Sequence, residues 1–251
     1  MKTNLIKPAY EVKINPPYTP NYKDRLVRDA LKLAYENFKG NQYAIPSTLN
    51  PDARDSVVKG SNWYLANILA NTVGKLTGGK IRPVNAREIQ LFLKHGLIKD
   101  ANKTYDDEGF TDYPKEGYNP NLHKHIHEQL TSDDWKNKFE HVDLKKPFLI
   151  TGSVDVRLDD KFEYGLRIDF NGFTEIYNHD ALLKGGNFDS NDPGLVETGL
   201  PYSSLGRVNR ALYIGDNGVR RFYRDRSMNL DVRIDDLACS YDTGRVRLVE
   251  I

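Results

Sequence analysis

The stretch GDNGVRRFYRDRSMNLDVRIDDLACSYDTGRVRLVEI, residues 215–251, sets the reading of the whole chain. Val219, Phe222, Leu230, Leu237, Val246 and Leu248 are placed as apolar anchors. Between them, Asp225, Asp231, Arg233, Ile234, Asp235, Asp236, Cys239, Ser240, Tyr241, Asp242 and Thr243 follow neither the helical nor the strand period. Such a sequence makes no good element of its own and is expected to lie across a scaffold built elsewhere. Strands are expected only near its ends, at 219–223 and 245–249. The charge chemistry changes here too. From Thr198 to Val249 there is no Lys, Glu, Gln or Trp, and all nine cations are Arg (207, 210, 220, 221, 224, 226, 233, 245 and 247), whereas the first 197 residues carry 20 Lys and 7 Arg. The guanidinium is planar, weakly hydrated and stacks on aromatic rings, and Arg and Tyr dominate binding hot spots. This segment is therefore expected to be the part that touches a partner.

Upstream, the pattern is helices first and strands later, which makes the class α+β. Residues 1–20 hold Pro8, Pro16, Pro17 and Pro20 with alternating Tyr10, Val12 and Ile14, an extended arm or edge strand. Asn21 is expected to cap a helix running to about Phe38. A second helix spans Asn62 to about Lys75, ended by Gly78-Gly79. Asn85 with Glu88 forms a capping box for a third, which stops at Gly96. Residues 97–147 are rich in Lys, Asp, Asn and Gly and read as a long polar insertion with weak helical signals at 121–130 and 132–140. Alternation then appears at 150–158 and 162–170, joined through Asp159-Asp160-Lys161 as a hairpin. Residues 178–206 read as loop.

Catalytic signatures are weak. In His123-Lys124-His125-Ile126-His127, three imidazoles would converge on a strand, but on a helix only His123 and His127 share a face. No further ligand is suggested by spacing, so a solvated face and no metal are expected. Carboxylate pairs such as Asp106-Asp107-Glu108 lack the unlike environments that acid–base work needs. Asp155, Glu163 and Asp169 on the hairpin are the alternative, as ligands of a metal-dependent hydrolase. There is no G-x-S-x-G elbow, and Gly78-Gly79-Lys80 lacks the rest of a phosphate-binding loop.

The order G-V-R-R-x-Y-R (218–224), N-L-D (229–231), D-L-x-x-S (236–240) and G-R-V-x-x-V (244–249) resembles the variable region of diversity-generating retroelement target proteins. The resemblance covers about the last 40 residues, with weaker support from LPYSSLGRVNRALYIG at 200–215. It implies a C-type lectin-like fold, akin to that of the formylglycine-generating enzyme, with helices packed on small antiparallel sheets. The domain would span 21–251, with its variable region at about 218–249. In that family adenines of a template are mutated, so Asn codons become many residues but never Lys, Glu, Gln, Met or Trp; all eleven intervening residues belong to the reachable set. Met228 would be fixed. By position, the resemblance makes Asp225, Asp231, Arg233, Asp235, Asp236, Cys239, Tyr241, Asp242 and Thr243 variable ligand contacts. Gly218, Val219, Leu230, Leu237, Gly244, Arg245 and Val246 would be scaffold. It implies binding without catalysis and without a cofactor, to a protein or cell-surface ligand. With one Cys, the chain lacks the cysteine pair of the formylglycine-generating enzymes.

Composition agrees with a binding protein and narrows its partners. A hydrophobic content of 39% and a charged content of 28% are those of a soluble globular chain. The net charge of +1 supplies no field for nucleic acid. The polar N-terminal sequence has no secretory signal, so synthesis in a cytoplasm and possible virion association are expected. A viral assembly protein using the 1–20 arm to form a homo-oligomer is a further reading. No calcium loop spacing is evident.

Overall fold

The computed structural model describes residues 17–46, 58, 62–202, 209–234, 236–240 and 243–251. Most of the 1–20 arm, and Asp235, Tyr241 and Asp242 among the expected contacts, lie outside the described residues. The class is α+β. Helices α1 (Arg25–Asn37) and α2 (Trp63–Thr77) come first, followed by strand β1 (Ile81–Pro83) and helix α3 (Ala86–Lys94). Asp24, not Asn21, caps α1: its side chain accepts from the Leu26 amide, while Asn21 closes the preceding turn by accepting from Lys23. Asn62 caps α2. At α3 both halves of the expected capping box form between Asn85 and Glu88.

The main correction concerns residues 97–147. They contain β2 (Tyr105–Tyr113), buried along its whole length; helix α4 (Pro120–Thr131) falls on the helical signal at 121–130, whereas 132–140 forms turns. The sequence YDDEGFTDY reads as loop because its charges contradict a buried strand. It is a strand because Asp106 and Asp107 meet arginines supplied from more than 100 residues along the chain, while Glu108 meets Gln90 and Asp112 meets two histidines of α4. The remaining strands are β3 (Phe148–Leu158), β4 (Leu166–Asn178), β5 (Gly186–Phe188), β6 (Arg210–Tyr213), β7 (Gly218–Arg224), β8 (Leu230–Asp231), β9 (Gly244–Arg245) and β10 (Leu248–Glu250). β2 is central in the large sheet, whose order is β4-β3-β2-β7-β8-β6-β5, with β9 pairing in parallel beside the start of β2. A bulge at Glu108-Gly109 shifts the β2–β7 register. Gly109 is required there, since a Cβ would lie 2.2 Å from the Ile150 carbonyl oxygen and φ is +149°.

The expected hairpin forms as β3–β4, although Phe162 and Tyr164 lie in its connection. Residues 178–206 are not all loop: they include β5 and the short helices α5 (Ala181–Lys184) and α6 (Pro193–Thr198). Helices cover both faces of the sheet. Trp63, Tyr64 and Ile68 of α2, with Leu122, Ile126 and Leu130 of α4, pack on Phe110, Phe148, Ile150 and Val219. Ala86, Leu182 and Leu195 pack on Leu149, Phe222 and Leu230 from the other side. A second, two-stranded sheet joins β1 to β10, and Tyr18 adds an antiparallel bridge to Leu248. Helices α1 and α2 pack on this part through Val27, Ala30, Leu65, Leu69 and Leu248.

Candidate functional site

The arginines of the C-terminal segment go mainly inward. Arg210, Arg220, Arg221, Arg224 and Arg247 are all buried. Register places Arg224 opposite Asp106, and its guanidinium donates to that carboxylate. Arg247 donates to the other oxygen of Asp106 at 2.6 Å and to Asp100 at 2.8 Å. Arg221 pairs with Asp107 and lies over the rings of Tyr105 and Tyr223. Arg210 donates to Gln90, whose amide donates to Glu108. Burial pushes the Glu108 carboxyl up to about 8 although Arg224 and Arg210 oppose the change. Burial likewise lowers Arg210, to about 10. Desolvation thus penalises both signs of charge, and attraction offsets only part of it. The expectation that this Arg-rich segment is chiefly a contact surface is therefore corrected. The same weak hydration that suits Arg to interfaces suits it to buried ion pairs.

What remains outside is narrower. Residues 232–234 and 236–240 form no strand or helix. Arg233 is exposed and stacks on Tyr213 with its guanidinium carbon 3.9 Å from the ring centroid. Asp236 is exposed, and its side chain accepts from the Ala238 amide. Cys239, a free thiol, and Thr243 are half-buried. Asp225 is half-buried and closes the β7–β8 turn, accepting from the backbone and side-chain nitrogens of Asn229. Asp231 departs from the expected exposed face. It is 2% exposed and accepts from the Arg233 amide and guanidinium. It sits in β8 between β7 and β6, where the sheet covers it.

Arg220 ties this segment to residues the sequence did not single out. Its guanidinium donates to the Arg233 carbonyl, to Asp216 and to Asn217, and lies 4.6 Å from the Tyr118 ring centroid. Tyr118 and Tyr213 are exposed. Tyr118, Asp216, Asn217, Tyr213 and Arg233 thereby form one outward patch pinned by a buried guanidinium. Only Arg233 was legible beforehand, because Tyr118 comes from the segment read as an insertion.

The histidine run lies on α4, and its expected solvated face is not found. His123 and His127 turn inward to Asp112 of β2, with His123 Nδ1 at 2.6 Å from Oδ1 and His127 Nε2 at 3.3 Å from Oδ2. The hydrogen bond to Asp112 raises the His123 pKa above its usual 6.5. His125 points elsewhere, 3.0 Å from Asp169.

The three hairpin carboxylates do not converge. Glu163 accepts from the Asn121 and Leu122 amides at the start of α4. Asp169 is held by His125, Arg157 and Arg167. Burial opposes ionisation of Asp169, but the hydrogen bonds from His125 and Arg167 win and lower its pKa. Asp155 lies near Asn71 and Asn171. It alone of the three lines a cleft of about 690 Å³ between α2 and the β3–β4 hairpin, together with Lys75, Lys80, Ser153 and Phe173. One carboxylate among amides and lysines is not a hydrolytic metal set. Among the described residues no helix is long and apolar enough to cross a membrane.

No family model matches this chain, and neither the curated proteins nor the solved structures contain a match to it.

Proposed function

We propose that this chain is a ligand-recognition protein rather than an enzyme, with a C-type lectin-like domain over 21–251 whose C-terminal face is diversified by a retroelement. One observation carries the reading: between residues 218 and 246 the residues that the resemblance makes scaffold are mostly buried, while two of those that it makes contacts, Arg233 and Asp236, are exposed. Val219, Leu230, Leu237 and Val246 are each at most 3% exposed, and Gly218 and Gly244 are also buried. Arg233 and Asp236 between them point to solvent. The pairing of β1 with the last strand, under α1 and α2, supports the lectin-like arrangement. Asp231 is framework in this reading, and Asp225 serves mainly to close a turn.

The patch of Tyr118, Tyr213 and Arg233 supplies rigid aromatic contacts beside a forked cation, a combination suited to a protein or cell-surface ligand. Sequencing the DNA that flanks the coding region tests the proposal. A near-copy of the 3′ coding segment, differing at adenines and lying beside a reverse-transcriptase gene, is the expected result. A complete flank with neither feature removes the retroelement from the reading.

A further inference from the structure

We propose that Asp112, His123 and His127 form a binding site for one divalent first-row transition ion of the zinc class. The fold assembles the donors from two elements. β2 sets Asp112 beside Val219 of β7 in the middle of the sheet, where the carboxylate is fully buried. α4 presents His123 and His127 four residues apart, hence on one helical face. One donor atom from each of the three residues falls within 4.8 Å of the others.

The spacing fits an ion. Nitrogen and oxygen ligands lie about 2.0–2.2 Å from tetrahedral zinc, so neighbouring donors sit roughly 3.3 Å apart. The His127–Asp112 pair is already at 3.3 Å, and the His123–Asp112 pair, at 2.6 Å, needs only a small opening. Two imidazoles and one carboxylate suit zinc, iron, cobalt or nickel better than magnesium or calcium.

An independent observation points the same way. Asp112 Oδ2 and His127 Nε2 are buried atoms that face each other at 3.3 Å, and neither makes a hydrogen bond. Buried polar groups are normally satisfied, and each exception calls for a cause. The other end of β2 shows the contrast: Asp106 and Asp107 each receive an arginine, while Asp112 has no arginine or lysine within ion-pair distance among the described residues. A cation held by all three residues replaces the His123–Asp112 hydrogen bond and satisfies the second carboxylate oxygen and His127 Nε2 together. The two imidazole side chains are 14% and 26% exposed, so the ion is reached from their side. With three protein donors a coordination position stays open there.

The test uses the full chain, stripped with a chelator and titrated with Zn²⁺ by calorimetry. One ion per chain is expected. Free Zn²⁺ at 100 times its Kd should raise the folding equilibrium constant about 100-fold. His127→Asn and Asp112→Asn should each weaken binding by more than about 10-fold, the smallest loss usual for even an outer-shell change. His125→Asn, on the other side of the helix and facing Asp169, should bind as wild type. X-ray absorption of the zinc-loaded wild type should show two imidazoles and a carboxylate oxygen, and this needs no variant to fold. The proposal is overturned by absence of saturable binding, by unchanged binding in a folded His127→Asn protein, or by an absorption spectrum without imidazole scattering.

Discussion

Strand β7 and the described residues of the stretch from 232 to 240 both carry Arg among apolar anchors, yet their arginines have opposite fates. In β7, Arg220, Arg221 and Arg224 are buried, and the last two are paired with carboxylates of β2. In the segment beyond β8, Arg233 lies outside on Tyr213. Register decides where each arginine goes. β7 runs antiparallel to a strand carrying Asp106, Asp107, Glu108 and Asp112, so its cations find fixed anions. In the later stretch, among the described residues, Arg233 and Asp236 turn to solvent, Leu237 and Ala238 are buried, and Cys239 and Ser240 are half-buried.

The largest effect that could break this contrast is loss of a buried anion. Asp106→Asn leaves Arg224 and Arg247 facing a neutral group, and breaking a buried pair costs about 3–5 kcal/mol. Urea unfolding measures it, and a cost near zero would mean that these pairs are not what holds β2 in the core. The second test sharpens the point. Arg221→Met alone removes the arginine paired with Asp107 and should cost a similar amount. Combined with Asp107→Leu it should recover most of that loss, because a well-packed apolar replacement of a buried ion pair is often neutral.

The third effect depends on pH. The Glu108 pKa is raised in the folded chain from 4.5 to about 8. A carboxyl with a raised folded pKa contributes stability that is fully present below 4.5 and is lost as pH rises through about 8. Glu108→Gln removes this titration. Thermal melts of the two proteins should therefore diverge across that window, with the wild type losing ground as pH rises. Parallel curves would place the group outside its buried setting. The smallest effect belongs to the outer segment: Arg233→Ala takes an exposed guanidinium from the buried Asp231, which keeps its bond from the backbone amide of residue 233, and should cost about 1 kcal/mol.

Much of the frame was legible locally. Asn62 and the Asn85–Glu88 box announced their helices, and alternation announced the β3–β4 hairpin, because capping and period are short-range signals. β2 was not legible. Tyr105–Tyr113 has four carboxylates, and the arginines that make burial tolerable lie more than 100 residues away. The inward turn of His123 and His127 was hidden for the same reason, since Asp112 belongs to that unread strand. For the outer patch, Arg233 was foreseen from its irregular surroundings. Tyr118 and Tyr213 join it only through the bonds of Arg220 and the stacking of Arg233. Asp231 misled because a two-residue strand carries no period.

The most direct test of the central claim is a substitution scan of residues 218–246, reading the folded fraction of each variant. The split described here predicts tolerance of most residue types at Arg233, Asp236, Cys239 and Thr243. It predicts loss of fold at Gly218, Val219, Leu230, Asp231, Leu237 and Val246. Equal intolerance at both sets would make the segment a closing piece of the core and contradict a recognition face.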